Sequence, residues 1–201
     1  MALSPKLKAF EDAFDVLNSQ YFESALSKPV ITMSPTPGAF GHFTPWKSWK
    51  DAEGEHYEIN LGAATLDRPL PEMIGTLLHE MVHQYCEENH IKDTSRGNTY
   101  HNKEFKRECE KRQLIVKHDK RVGWGVTEPS PGLVDFVNSG RFEKCKQELH
   151  RLGESMTKDP SDKKKSSSTR KYVCPGCGMS VRATREVNIG CLDCDMQMET
   201  E

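Results

Sequence analysis

The feature that most constrains this chain is a histidine pair set four residues apart behind an apolar run. Ile74-Gly75-Thr76-Leu77-Leu78 leads directly into His79-Glu80-Met81-Val82-His83. Residues four apart share one face of a helix, so a helix over about Pro71 to Glu88 points both imidazoles the same way. The apolar run makes that face an interior one, and interior polar groups need partners. A fold containing this helix must therefore bring a third group up against it. Two neutral imidazoles, a third protein ligand and one open position suit zinc. Glu80 lies beside the pair and can reach a water at the open position without being a ligand, as the general base of a hydrolytic zinc site does. The competing reading is a chance match on a surface helix, against which the apolar lead-in argues.

The third ligand must come from elsewhere in the chain. His90, His101 and His118 are the nearby histidines. His90 falls near the end of the same helix and reads as solvent-facing. His101 follows a polar loop, Asp93 to Thr99, long enough to reverse the chain, and opens a helix that Asn102 can cap. It is the favoured ligand, with a carboxylate such as Glu104 or Glu108 as the alternative. Tyr100, His118 and Arg121 are candidates for stabilising an oxyanion, though each reads better as an ordinary loop or surface residue. Cys86, three residues past His83, reads as a small buried hydrophobe.

Around this centre the pattern is mixed. Leu7, Phe10, Phe14, Leu17 and Tyr21 recur at helical spacing after Ser4 and Pro5. Val30 to Met33 and His56 to Leu61 read as strands, and Ser34 to Gly54 as a hairpin or irregular β segment containing Trp46 and Trp49. These two tryptophans can stack on bases, cover the core or line a cleft. Phe105 and Cys109 face inward on the third helix, Leu114 to Val116 form a short strand, and Gly132 to Leu152 is weakly helical. Residues 154–170 hold Lys163-Lys164-Lys165 and Ser166-Ser167-Ser168 with almost nothing apolar, which reads as a flexible linker.

After the linker come Cys174-Pro175-Gly176-Cys177 and Cys191-Leu192-Asp193-Cys194, with thirteen residues between them. Two such knuckles complete a tetrahedron of thiolates around a structural zinc. A module this short needs that metal for its stability. The interval Met179 to Gly190 reads as a β-hairpin, giving a zinc ribbon. Cys109 and Cys145 have no partner spacing and read as core or free thiols. The segment Lys163 to Arg185 is locally basic, so phosphate contact is expected there. The whole chain, at net charge −2, is no general magnet for nucleic acid. No leader or roughly 18-residue apolar span is visible, which suggests a cytoplasmic protein (nuclear if eukaryotic) with no membrane partner.

Leu17-Asn18-Ser19-Gln20-Tyr21-Phe22, His79-Glu80-Met81-Val82-His83 and His101-x-x-Glu104-Phe105 together resemble the SprT-like, Spartan-related family of zinc metallopeptidases. The resemblance runs over about residues 5 to 200. It implies that His101, at the family's H-G-x-x-F position, is the third zinc ligand, and it matches the C-terminal ribbon found in family members. Asn102 departs from the usual Gly. The expected fold is α+β: a zincin-like catalytic domain with a small antiparallel sheet over residues 1–153, the linker 154–170, and a zinc ribbon over 171–201. The expected function is zinc-dependent hydrolysis of peptide bonds. The resemblance alone places that activity on DNA-associated proteins, of the DNA–protein crosslink type. Two zinc ions are expected, one catalytic on His79, His83 and His101, and one structural on Cys174, Cys177, Cys191 and Cys194. The rival readings are a non-proteolytic nucleic-acid-binding protein that keeps zinc for structure, and a zinc hydrolase of small amides. Glu80 separates the first rival, because a structural site needs no general base.

Overall fold

The apolar stripe near the N-terminus folds as helix α1 (Ser4–Tyr21). Phe10, Phe14 and Leu17 are wholly buried, with Ala9 and Ala13 packed between them. At about 1.5–3 kcal/mol for each large apolar side chain removed from water, this stripe is what holds α1 on the core. Asn18 organises the exit from the helix. Its side chain accepts from the Leu26 N–H at 3.1 Å and donates to the Leu26 carbonyl at 3.0 Å. The turn so closed contains Glu23 and Ser24 in the left-handed region, at φ 56 and 59.

The computed structural model describes residues 4–148 and 170–200. The chain divides into two units, Met1–Gly153 and Glu154–Glu201. In the first, β1 (Val30–Ser34), β2 (Gly41–Lys50) and β3 (Glu55–Gly62) form a sheet of order β1-β3-β2. The hairpin β2–β3 is antiparallel, but β1 runs parallel to β3, so the sheet is mixed rather than wholly antiparallel. Asn60 fastens the end of β1 to β3. Wholly buried on the central strand, it accepts from the Ser34 N–H at 2.8 Å and donates to Thr36 Oγ1 at 2.6 Å. One side chain thus ties down the chain where β1 ends.

Helix α2 (Leu70–Glu88) is buried over most of its circumference, from Met73 through Cys86. It packs against α1, α3 (Lys103–Lys111) and α4 (Pro131–Asn138), and against strands of both sheets. The second sheet has the order β4-β5-β7-β6, built from β4 (Thr94–Ser95), β5 (Tyr100–His101), β6 (Leu114–Asp119) and β7 (Gly123–Pro129). Asn102 caps α3, accepting from the Glu104 and Phe105 N–H groups. The weak periodicity after Gly132 resolves into two short helices, α4 and α5 (Glu143–Glu148), separated by Gly140 at φ +87. The last part of that stretch, and 154–169 of the linker, lie outside the described residues.

The second unit holds β8 (Arg170–Val173), β9 (Ser180–Ala183), β10 (Gly190–Cys191), β11 (Met196–Gln197) and β12 (Glu199–Thr200). Two expectations are corrected here. Arg170 belongs to the first ribbon strand rather than to the linker. The interval 179–190 is not itself a hairpin, because β8 pairs with β9 across the first knuckle and β10 with β11 across the second. Each C-x-x-C sits at its own hairpin tip, where the turn brings both thiols to one side. The overall α+β architecture is the expected one.

Candidate metal centre

Helix α2 presents His79 and His83 on one face, and β5 delivers His101 opposite them. The nitrogen atoms that the three residues offer lie within 4.8 Å of one another. Each imidazole is oriented through Nδ1: His79 to Thr127 Oγ1 at 2.9 Å, His83 to Asp93 Oδ2 at 2.5 Å, and His101 to the Val122 carbonyl at 3.1 Å. With every Nδ1 engaged, Nε2 is the free ligand atom. Nε2 of His83 and of His101 are 3.1 Å apart. Two nitrogens bound at about 2.0–2.1 Å to a tetrahedral zinc would be about 3.3 Å apart, so the residues fit that ion. Phe105 forms the floor. Its ring centroid lies 4.8, 4.4 and 4.6 Å from those of His79, His83 and His101.

The electrostatics suit ligation, which needs neutral imidazoles. Burial, and then the charge of His83 and His101, holds His79 well below its ordinary value. Burial, and then His83, pushes His101 down to about 4, against the opposing pull of the Val122 carbonyl and Asp93. Glu80 is buried, and that burial pushes its carboxyl up to about 7, opposed by His83 and by the Phe43 N–H that it accepts from. A cation beside it would favour the carboxylate.

Two close approaches hold this geometry. A Cβ on Gly125 would lie 2.4 Å from His101 Nδ1, and one on Gly41 would lie 3.1 Å from Glu80 Oε1 and 2.8 Å from the Asn60 carbonyl. Strand β7 therefore backs the third histidine, and β2 backs the glutamate. A cleft of about 1540 Å³ runs past the centre, with Glu80, His83, His101 and Arg121 among its lining residues.

The rival ligands are engaged elsewhere. His90 is exposed beyond the end of α2, in the left-handed region at φ 56. His118 is exposed and contacts the Tyr100 hydroxyl at 3.1 Å. Glu104 pairs with Arg107. Glu108 is buried against Arg112 and Lys111 at 2.8 and 2.7 Å. Of the three oxyanion candidates, Arg121 lines the cleft, whereas Tyr100 and His118 are not among its lining residues. Cys86, Cys109 and Cys145 are buried, and burial raises all three thiols. Sequence reasoning missed Asp93, Thr127 and Gly125. None left a signal that could be read alone: the two glycines flanking Trp124 mark a close backbone approach only once the segment is known to be a strand.

In the second unit, the Sγ atoms of Cys174, Cys177, Cys191 and Cys194 also lie within 4.8 Å of one another. Cys177 and Cys191 sulfurs are 3.7 Å apart. Thiolates at about 2.3 Å from a tetrahedral zinc would be about 3.8 Å apart. The Cys177 N–H brings Cys174 down to about 7, with the Gly176 N–H assisting against desolvation. Among the described residues no helix is long and apolar enough to cross a membrane.

Comparison with curated proteins and with solved structures finds no match. Residues 10–121 match the SprT-like family. That span covers the α1 exit turn, the α2 histidines, Glu80 and His101, and the chain belongs to the SprT-like family.

Proposed function

We propose that the chain is a zinc metallopeptidase that cleaves DNA-associated proteins, with His79, His83 and His101 as ligands and Glu80 as general base. The observation that carries this reading is the orientation of all three imidazoles through Nδ1, which leaves their Nε2 atoms beside a buried carboxylate at the edge of a long cleft. A zinc ion bound there supplies Lewis-acid polarisation of a carbonyl oxygen and acidifies a water. Glu80 takes the proton of the attacking water and returns it to the departing amine nitrogen. The β2 backbone holds Glu80 through the Phe43 N–H, so its carboxyl keeps one orientation through both transfers. Asp93, Thr127 and the Val122 carbonyl keep the imidazoles in the tautomer that frees Nε2. The ribbon cysteines hold a second, structural zinc. The linker and ribbon raise the local concentration of substrate on DNA through phosphate contacts.

The test is cleavage of a DNA-bound protein, with and without DNA, by wild type and by Glu80→Gln. The substitution should keep zinc and DNA binding and lower cleavage by about 10²–10⁴-fold. Equal cleavage by the two proteins would remove Glu80 from the mechanism. Absence of cleavage by zinc-loaded wild type would leave a zinc-stabilised nucleic-acid-binding protein. Truncation after Gly153 should keep hydrolysis of an unstructured peptide and weaken DNA binding and cleavage of DNA-bound protein.

A further inference from the structure

Charge is distributed very unevenly along the first unit. Residues 92–121 carry ten Lys and Arg against five Asp and Glu, whereas residues 1–91 carry six against thirteen. The basic segment is β4, β5, α3, β6 and the turn into β7. Within it, aromatic rings and cations form one connected row. The Arg96 guanidinium lies over the Tyr100 ring at 4.5 Å. Tyr100 meets His118 at a centroid distance of 6.5 Å, and His118 meets Trp124 at 4.8 Å. The Lys106 ammonium closes the row over Trp124 at 4.3 Å. Along β7, Trp124 lies between Gly123, which the Tyr100 ring and the His101 carbonyl approach, and Gly125, which accommodates the His101 ring, so Trp124 faces away from that ring.

We infer that this row is a binding surface for single-stranded nucleic acid on the metallopeptidase unit itself. Unpaired bases stack on aromatic faces while neighbouring cations follow the phosphates. Arg96 makes no ion pair among the described residues, and the acid that Lys106 meets is Glu110, at 3.7 Å across an exposed helix turn. Arg96 can therefore meet phosphate directly, and the long exposed Lys106–Glu110 contact is weak enough to be exchanged for one. The exposed Lys120 and Arg121 continue the positive charge toward the cleft mouth.

The alternative surfaces are less well charged. Trp46 and Trp49 are exposed, but residues 46–58 carry two Lys against four Asp and Glu, and the Trp49 indole N–H already donates to Glu58. The ribbon residues 170–200 carry four Lys and Arg against four Asp and Glu. The inference rests on the proposed function for the partner's role, but its test reads binding rather than cleavage.

The test is fluorescence anisotropy of labelled oligodeoxythymidine, oligoribouridine and a matched duplex on the full chain, across a salt titration, with zinc content as the check on folding. Trp124→Leu and Tyr100→Leu should each weaken single-strand binding by about 5- to 150-fold. The double substitution Arg96→Ala with Lys106→Ala, on side chains outside the core, should reduce the salt slope by about 1.4, at about 0.7 for each phosphate no longer neutralised. Duplex binding should be weaker than single-strand binding, and Trp46→Ala with Trp49→Ala should bind as wild type. If Trp124→Leu loses zinc, the Arg96 and Lys106 pair decides. An unchanged slope and affinity in that pair would overturn the inference, as would loss of binding only on substitution of Trp46 and Trp49. Glu80→Gln should bind in full, so absent peptidase activity would count against the function and not against this surface.

Discussion

Gly125→Ala should disable the histidine metal centre without replacing any of its three histidines. The added Cβ would sit 2.4 Å from His101 Nδ1 and 2.7 Å from its Cε1. Ordinary contact begins near 3.4 Å, so the ring must move by about 1 Å. His101 cannot yield easily, because its backbone N–H donates to the Val122 carbonyl at 3.0 Å and its Nδ1 contacts the same oxygen at 3.1 Å. Strand β7 is held to β6 on either side of this residue, at Gly123 and from Val126 to Pro129, with a register irregularity between them. Metal–ligand distances tolerate about 0.2 Å, so a 1 Å displacement is roughly five times too large. We expect zinc affinity at this centre to fall by at least the 10–100-fold typical of losing an orienting partner. Overpacking should also cost about 1–3 kcal/mol of stability. The assay is metal stoichiometry with chelator competition, the ribbon metal serving as internal reference. A variant that keeps both metals at wild-type affinity would show that β7 does not set the third ligand's position.

The remaining predictions concern the outer contacts, acid stability and the second unit. Asp93→Asn should weaken zinc binding at the histidines by about 10–100-fold in the same chelator competition, because it removes the anionic partner of His83 Nδ1. Burial alone would raise Glu108, but hydrogen bonds from Lys111 and Arg112 outweigh it and hold the carboxyl below its ordinary value. A depressed carboxyl stabilises the fold above its unfolded value of about 4.3, and that contribution is lost as pH falls through the lower folded value. Glu108→Gln should therefore cost about 3–5 kcal/mol at neutral pH, with the gap to wild type closing in acid denaturation below about pH 4. A gap constant with pH would exclude the ion pair as its source. Chelation of all metal should abolish amide protection in residues 170–200, whose core is only Tyr172, Cys174, Cys191 and Met198. The first unit should stay folded on its own apolar core, and persistent ribbon protection after chelation would contradict this.

What the sequence made readable was periodic or closely spaced. The α1 stripe at Phe10, Phe14 and Leu17 and the α2 pair at His79 and His83 repeat at the helical period, and period alone locates a buried face. The two C-x-x-C pairs announce their thiols because a knuckle is a local turn. Strand direction carries no such signature. The residues of β1 would look the same in either orientation, and the side chain that fastens the strand's end, Asn60, lies 26 positions away from Ser34. Likewise nothing in Gly123-Trp124-Gly125 announces a strand, because glycine is poor in sheets by propensity. Its place there follows from the His101 ring lying against it, which is tertiary information.

The same distinction separates ligands from their supports. A histidine ligand is recognisable because few residue types bind zinc and two of them share a helix face. Asp93, Thr127 and the Val122 carbonyl are ordinary acceptors, and each is chosen only because the fold brings it within hydrogen-bond reach of an Nδ1. Aspartate, threonine and backbone carbonyl serve the three rings interchangeably, so no residue type could mark the position in advance. Orientation is nevertheless where the chemistry is decided. If Nδ1 were unpaired, each ring would be free to change tautomer or rotate, and the nitrogens beside Glu80 would no longer be held together. Phe105 adds the remaining restraint, since its ring lies against all three imidazoles. It reads in the sequence as one more inward apolar residue of a short helix. Its particular role exists only because α3 begins immediately after His101, which seats the floor of the centre and its third ligand on one turn of chain.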